Sequence, residues 1–79
     1  MTLPTMTPVK SSNIEEVGHD GEALFLRFRS AKPGVPGRVY RYPTAGADLH
    51  AEVLAHSSPG TWFRERVKDA HVGEHIPGV

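Results

Sequence analysis

The sequence predicts a small α+β domain, in which a three-stranded antiparallel sheet is followed by two short helices packed on one sheet face. The chain has 79 residues, which allows a single domain. Apolar and polar residues alternate in the first half, as they do in half-buried strands. In the second half, apolar residues recur at helical spacing. Strands followed by helices in this order are typical of an α+β layer.

The three strands are separated by two segments that favour turns. The first strand is predicted over Asn13–Val17 and ends at residues 18–21, where an Asp-Gly pair favours a tight hairpin turn. The second strand is predicted over Ala23–Ser30. Two prolines and two glycines make residues 31–37 a loop, and the third strand, residues 38–42, is stopped by a proline.

The second strand alternates strictly, so its two faces can be assigned. One face carries Leu24, Leu26 and Phe28. The opposite face carries Phe25, Arg27 and Arg29. We expect the first of these faces to be covered by the helices, because it is entirely apolar.

The two helices follow the strands directly. The first is predicted over residues 47–56, where Leu49, Val53 and Leu54 recur at helical spacing. Ser58 and Pro59 favour the start of the second helix, as an N-cap residue followed by proline at the first helical position. The apolar residues expected on the second helix are Trp62, Phe63, Val67 and Ala70.

The two ends of the chain lack these patterns. Residues 1–8 are predicted to form a flexible arm, which can add an edge strand near Val9. Residues 72–79 contain two glycines and a proline and are predicted to form a tail. The folded domain is therefore predicted over residues 9–71.

Composition excludes several classes of protein. There is no cysteine, which excludes a disulfide scaffold, a thiolate zinc site and a cysteine nucleophile, and which favours a reducing cytoplasm. No apolar segment approaches the ~20 residues of a membrane span, so no membrane association is expected. Lysine plus arginine and aspartate plus glutamate are nine each, so the net charge is zero.

Several ordered segments of the chain resemble the KTSC domain family. The segments are Ser11-Ser12-Asn13-Ile14, Gly18-His19-Asp20, the strand Leu24–Phe28, Tyr40-Arg41-Tyr42 and Ser58-Pro59-Gly60-Thr61-Trp62-Phe63. Members of this family are modules of about sixty residues that occur at the C-terminus of some lysyl-tRNA synthetases, or alone in bacteria and phages. The resemblance implies a small α+β fold, and RNA binding is the function suggested for the family.

The distribution of charge gives physical support for nucleic-acid binding. From Ala23 to Ala47 there are five cations and no acid. These candidate nucleic-acid-binding residues are Arg27, Arg29, Lys32, Arg38 and Arg41. Arginine can bind phosphate through two hydrogen bonds and stack on bases. Alternatively, the arginines lie on a solvated sheet face and pair with acids of the neighbouring strand.

The aromatic residues of the hairpin allow two interpretations. Tyr40 and Tyr42 can stack on bases if they are exposed, or they can complete the core beneath the helices, which we favour in so short a domain. In the second case the basic stripe consists of Arg27, Arg29 and Arg41, with Phe25 as the nearby stacking residue. Trp62 and Phe63 diverge by ~100° on a helix, so one is expected in the core and the other at its edge.

No metal site, cofactor or catalytic site is expected. Of the five histidines, His71 and His75 have the spacing of a helical ligand pair, but Gly73 lies between them and no third ligand is placed by spacing. We therefore predict a non-catalytic binding module, with RNA or another nucleic acid as its partner. The alternative is a protein-interaction module, whose partner can be a second copy of the chain, that uses Phe25 and the exposed member of the Trp62/Phe63 pair.

Overall fold

The computed structural model describes residues 3–79, so Met1 and Thr2 of the predicted arm lie outside it. The elements are β1 (Thr7–Pro8), β2 (Ile14–His19), β3 (Leu24–Phe28), β4 (Val39–Tyr42), α1 (Ala47–Ala55), α2 (Pro59–Arg66) and β5 (Glu74–Ile76). Three central strands followed by two helices confirm the predicted α+β class. Among residues 3–79, no helix is both long and apolar enough to cross a membrane.

The sheet has five strands in the order β1-β2-β3-β4-β5, and every neighbouring pair is antiparallel. The prediction of three strands was therefore wrong. The two additional strands lie at the sheet edges, inside the segments predicted as arm and tail. They have two and three residues, which is too short for an alternating pattern to be recognised.

The register of the central strands confirms the predicted faces. Leu26 lies opposite Tyr40 and Leu24 opposite Tyr42, whereas Arg27 lies opposite Val39. Directly opposite residues share a face. Both tyrosines therefore lie on the helix-covered side with the leucines, as we favoured, and Arg27 lies on the other side.

The helix-covered side contains the main hydrophobic core. Its buried members are Ile14, Val17, Leu24, Leu26, Tyr42, Ala45, Leu49, Val53, Trp62 and Val67. Phe28, Tyr40 and Phe63 are partly buried against them, so Trp62 is the core member of its pair and Phe63 the edge member. Leu54 is 45% exposed and does not join this core.

The opposite side of the sheet, which we call the outer face, has a second and smaller core. It consists of Ala23, Phe25 and Val39. The residues that pack against it come from the two ends of the chain: Leu3, Met6, Ile76 and Val79. The terminal segments therefore cover this face where helices cover the other.

Candidate nucleic-acid interface

Arg27 lies on the outer face as predicted, but its guanidinium is engaged within the chain. Its Nε donates to Glu16 Oε1 at 2.8 Å, and its Nη1 donates to the main-chain oxygens of Gly37 at 2.8 Å and Val79 at 3.1 Å. The side chain is 12% exposed. Arg27 therefore joins β2, the hairpin loop and the C-terminal segment, and it has little capacity left for a phosphate.

Arg41 is also ion-paired across the sheet. It lies opposite Glu74 of β5, and its Nη1 is 3.0 Å from Glu74 Oε1. The alternative interpretation, in which arginines pair with acids of neighbouring strands, therefore holds for Arg27 and Arg41. The Glu74 partner could not be predicted, because β5 itself was not.

Two of the three predicted stacking residues are inaccessible to a base. Phe25 is 1% exposed beneath the terminal segments, so its assignment as an exposed aromatic was wrong. Tyr42 is 5% exposed, and burial, with a smaller contribution from Tyr40, raises its pKa to about 12. Tyr40 is partly buried and meets Phe28 edge-on, with ring centroids 5.8 Å apart.

The remaining three predicted cations form a different group. Arg29, Lys32 and Arg38 are exposed, and none forms an ion pair within residues 3–79. All three line an open cavity of about 420 Å³ at the loop between β3 and β4. Phe28 and Tyr40 also line it, and we call these five residues and their cavity the hairpin end.

The local backbone explains how the hairpin end is held. A Cβ at Gly37 would coincide with the carbonyl oxygen of Phe28, so only glycine allows the returning chain to approach so closely. The Phe28 N–H donates to the Arg38 carbonyl at 2.9 Å. Arg29 Nε donates to the Ser11 carbonyl at 2.6 Å, which connects the loop to the segment before β2.

The lining of the hairpin end is suited to an anion with an attached ring. Three cations line the cavity and none of its other lining residues is acidic, so their charge is not compensated locally. Phe28 and Tyr40 are both partly exposed. Proteins that bind single-stranded nucleic acids combine cations, which attract the phosphates, with aromatic rings, which contact the bases.

His71 and His75, which have the spacing of a helical ligand pair, do not lie together on a helix in the structure. His71 lies in the turns after α2, where its Nδ1 is 2.7 Å from Thr44 Oγ1. His75 lies in β5, and its ring centroid is 5.4 Å from that of Tyr40. Within the part of the chain that the structure describes, no three His, Cys, Asp or Glu residues are placed to hold a metal ion.

A second group of cations was missed by the sequence reasoning. Lys10, Arg64 and Lys68 line one cleft beside the first turn of α2. They are separated in sequence, so no basic run marks them. The signal that could have found them is the spacing of Arg64 and Lys68, which are four residues apart and share one side of the predicted helix.

Comparison with known proteins gives a match in structure. No family model matches the sequence, and no match is found among curated proteins. The crystal structure of a KTSC domain protein from Yersinia pestis is similar, with a TM-score of 0.77 and 26% sequence identity. The similarity covers 91% of this chain and 96% of that one. It confirms the resemblance that the sequence motifs indicate.

Proposed function

We propose that this chain, a KTSC domain, is a small non-catalytic module that binds single-stranded nucleic acid, RNA before DNA, at the hairpin end. One observation supports this more than any other. Arg29, Lys32 and Arg38 are the predicted cations without an ion pair within residues 3–79, and they line one cavity together with two partly exposed aromatic residues.

The chemistry of these residues favours a phosphodiester strand. Arg29 and Arg38 can each offer two parallel N–H donors to a phosphate, and Lys32 adds a third charge at the loop. Phe28 and Tyr40 offer ring surface to a base, which is accessible only in a single strand. Since no histidine, cysteine or acid lines this cavity, binding without catalysis is the simplest function for it.

The absence of cysteine bears on the compartment in which the protein would act. A chain without cysteine gains nothing from an oxidising environment. We therefore place the nucleic-acid partner in the cytoplasm, where single-stranded RNA is also available.

The test compares two variants that each remove two positive charges. Lys32→Gln/Arg38→Gln alters the hairpin end, whereas Arg41→Gln/Arg66→Gln removes two cations that form ion pairs elsewhere. We expect the hairpin-end variant to bind a labelled single-stranded RNA more weakly. The slope of log affinity against log salt should become shallower by about 0.7 for each phosphate that the variant no longer binds. The control variant should retain most of the affinity, and fluorescence anisotropy at several salt concentrations measures both quantities.

Two outcomes would contradict RNA binding at the hairpin end. One is no binding by the parent at low salt, and the other is an equal decrease in affinity in the two variants. Both variants should first be shown to melt cooperatively, so that a decrease in affinity is not a failure of folding.

A protein partner is the second candidate, and one observation favours it. Val35 is 51% exposed and lines the hairpin-end cavity beside Phe28, which gives this surface an apolar part. Phe25 and Trp62 are buried and are not available to a partner, so Phe63 and Val35 replace them in this hypothesis. Binding to a protein through these side chains would depend weakly on salt and would be reduced by Val35→Ser.

A further inference from the structure

A second basic cleft lies where the segment before β2 meets the first turn of α2. It has a volume of about 450 Å³ and is open to solvent. Its cations are Lys10, Arg64 and Lys68, and we call it the α2 cleft. None of the residues that line it is acidic.

The charge of the α2 cleft is not balanced by ion pairs. Lys10, Arg64 and Lys68 are all exposed, and none forms an ion pair within residues 3–79. By contrast, Arg66 of the same helix is paired with Glu52 at 2.8 Å. Three uncompensated cations around one concave surface create a positive potential that attracts an anion.

The walls of the α2 cleft are fixed by hydrogen bonds and packing within the chain. Ser11 Oγ accepts the N–H groups of Asn13 and Ile14 at 3.3 and 3.2 Å, and it donates to Asn13 Oδ1 at 2.7 Å. Asn13 in turn lies against Gly60, where an added Cβ would be 2.7 Å from Asn13 Oδ1. Local hydrogen bonds therefore fix the segment before β2, and this segment packs closely against the first turn of α2.

Neutral donors also line this cleft. Ser58 and Thr61 have their hydroxyl oxygens 3.0 Å apart, and Ser58 does not use its side chain to cap α2. Cations combined with hydroxyl groups suit a phosphate better than a carboxylate, because a phosphate offers three or four acceptor oxygens and up to two charges.

We infer that the α2 cleft is a binding site for a phosphate group, distinct from the hairpin end. Lys10, Arg64 and Lys68 neutralise its charge, and the hydroxyl of Thr61, which accepts from Ser58 Oγ at 3.0 Å, donates to one of its oxygens. Phosphate binding here does not depend on RNA binding at the hairpin end, since the two cavities use different cations.

The phosphate can come from either of two sources. It can belong to a small phosphorylated compound, or it can be the terminal phosphate of a strand held at the hairpin end. The second source is sterically reasonable because Phe63 lines the α2 cleft, and its ring centroid is 5.2 Å from that of Phe28, which lines the hairpin end.

The test is an NMR titration of the ¹⁵N-labelled chain with pyrophosphate at constant ionic strength. We expect saturable shifts of the Gly60 and Thr61 amides in the parent. Arg64→Gln/Lys68→Gln should weaken the affinity about tenfold, because the variant cannot form two of the charge-assisted hydrogen bonds. Arg41→Gln/Arg66→Gln, which removes the same charge from cations that are ion-paired outside both cavities, should leave the pyrophosphate affinity at these amides unchanged.

A second arm distinguishes the two sources with a short RNA that carries either a 5′-phosphate or a 5′-hydroxyl. A preference for the 5′-phosphate that disappears in Arg64→Gln/Lys68→Gln identifies a strand terminus. Saturable pyrophosphate binding without that preference identifies a small compound.

Absence of a saturable shift in the parent, or equal weakening in both double variants, would overturn the site. Failure of RNA binding at the hairpin end is recognised separately, because it leaves the pyrophosphate titration unaffected.

Discussion

The two faces of the sheet are covered by different kinds of structure, although alternate residues of the same strands form both. Nine residues of α1 and eight of α2 cover one face, and ten side chains are buried in the core beneath them. On the outer face the buried hydrophobic cluster consists of three residues, Ala23, Phe25 and Val39, under residues from the two ends of the chain. The outer face therefore depends on segments that have little regular structure of their own.

This difference explains which cations are free to bind a ligand. Arg27 and Arg41 lie on the outer face, where they connect the C-terminal segment to the sheet through Val79 and Glu74. Arg29, Lys32 and Arg38 lie in or next to the loop between β3 and β4 and are exposed. A basic strand can therefore serve two purposes, with its central cations holding the fold and its loop cations available to a partner.

The two faces should differ most in how much free energy of unfolding is lost when a buried side chain is truncated to alanine. Leu26 and Phe25 are adjacent and both essentially inaccessible, but they point to opposite faces. We expect Leu26→Ala to reduce the free energy of unfolding by about 2–5 kcal/mol, because two helices and a sheet cannot close the space. Phe25→Ala should cost less than the ~3–5 kcal/mol usual for this change, because the terminal segments can move inward.

Urea denaturation followed by circular dichroism measures both free energies of unfolding. Leu54→Ala, at an exposed position of α1, is the control and should have little effect. If Phe25→Ala proved more destabilising than Leu26→Ala, the outer face would be as rigid as the main core.

A smaller difference is expected between the two outer-face arginines. Arg27 is 12% exposed and donates three hydrogen bonds, so Arg27→Met should cost about 1.5–3 kcal/mol, as expected for hydrogen bonds to a charged group. Arg41 pairs with a Glu74 side chain that is 58% exposed, so Arg41→Met should cost less than ~1 kcal/mol.

Thermal and urea unfolding of the two methionine variants test this difference. The same measurement on Glu16→Gln tests the ion pair between Arg27 and Glu16 by removing the charge of the glutamate. Equal costs for the two arginines would mean that Arg27 does not hold the terminal segments in place.

The sequence predicted the faces of the central strands well, because the alternation of Leu24, Leu26 and Phe28 leaves only one apolar side. It also predicted both helices, from apolar spacing and from the Ser58-Pro59 pair. It allowed an edge strand near Val9, beside which β1 forms, but it could not predict β5, since the pairing of three residues at an edge depends on backbone hydrogen bonds rather than on side-chain pattern.

The candidate site was predicted only in part, for a related reason. The run of cations along the sequence identified Arg29, Lys32 and Arg38, but it also included Arg27 and Arg41, which form ion pairs within the chain. Whether an arginine is free depends on acids brought near it by the fold, such as Glu74 beside Arg41. The spacing of Arg64 and Lys68 indicates that these two share one side of α2, but Lys10 meets them only because the segment before β2 packs against the first turn of α2.

The smallest expected effect is a dependence of stability on pH, and it arises from His50 on the helix-covered side. His50 of α1 has a buried Nε2 that finds no hydrogen-bond partner within residues 3–79. Burial, and to a lesser extent the nearby His19, lowers the pKa of His50, because both disfavour the charged imidazolium. The ring centroids of the two histidines are 6.1 Å apart.

A histidine whose pKa is lower in the folded than in the unfolded state makes the unfolded state bind more protons between the two pKa values. The contribution of His50 to stability is therefore complete above its ordinary pKa of ~6.5, and it disappears as the pH falls through the lowered, folded-state value. We expect the midpoint of urea unfolding to decrease as the pH falls below ~6.5, and the decrease to be smaller in His50→Gln. His75→Gln, at an exposed position of β5, is the control. A decrease that is identical in the parent and in His50→Gln would mean that the imidazole of His50 reaches water in the folded protein.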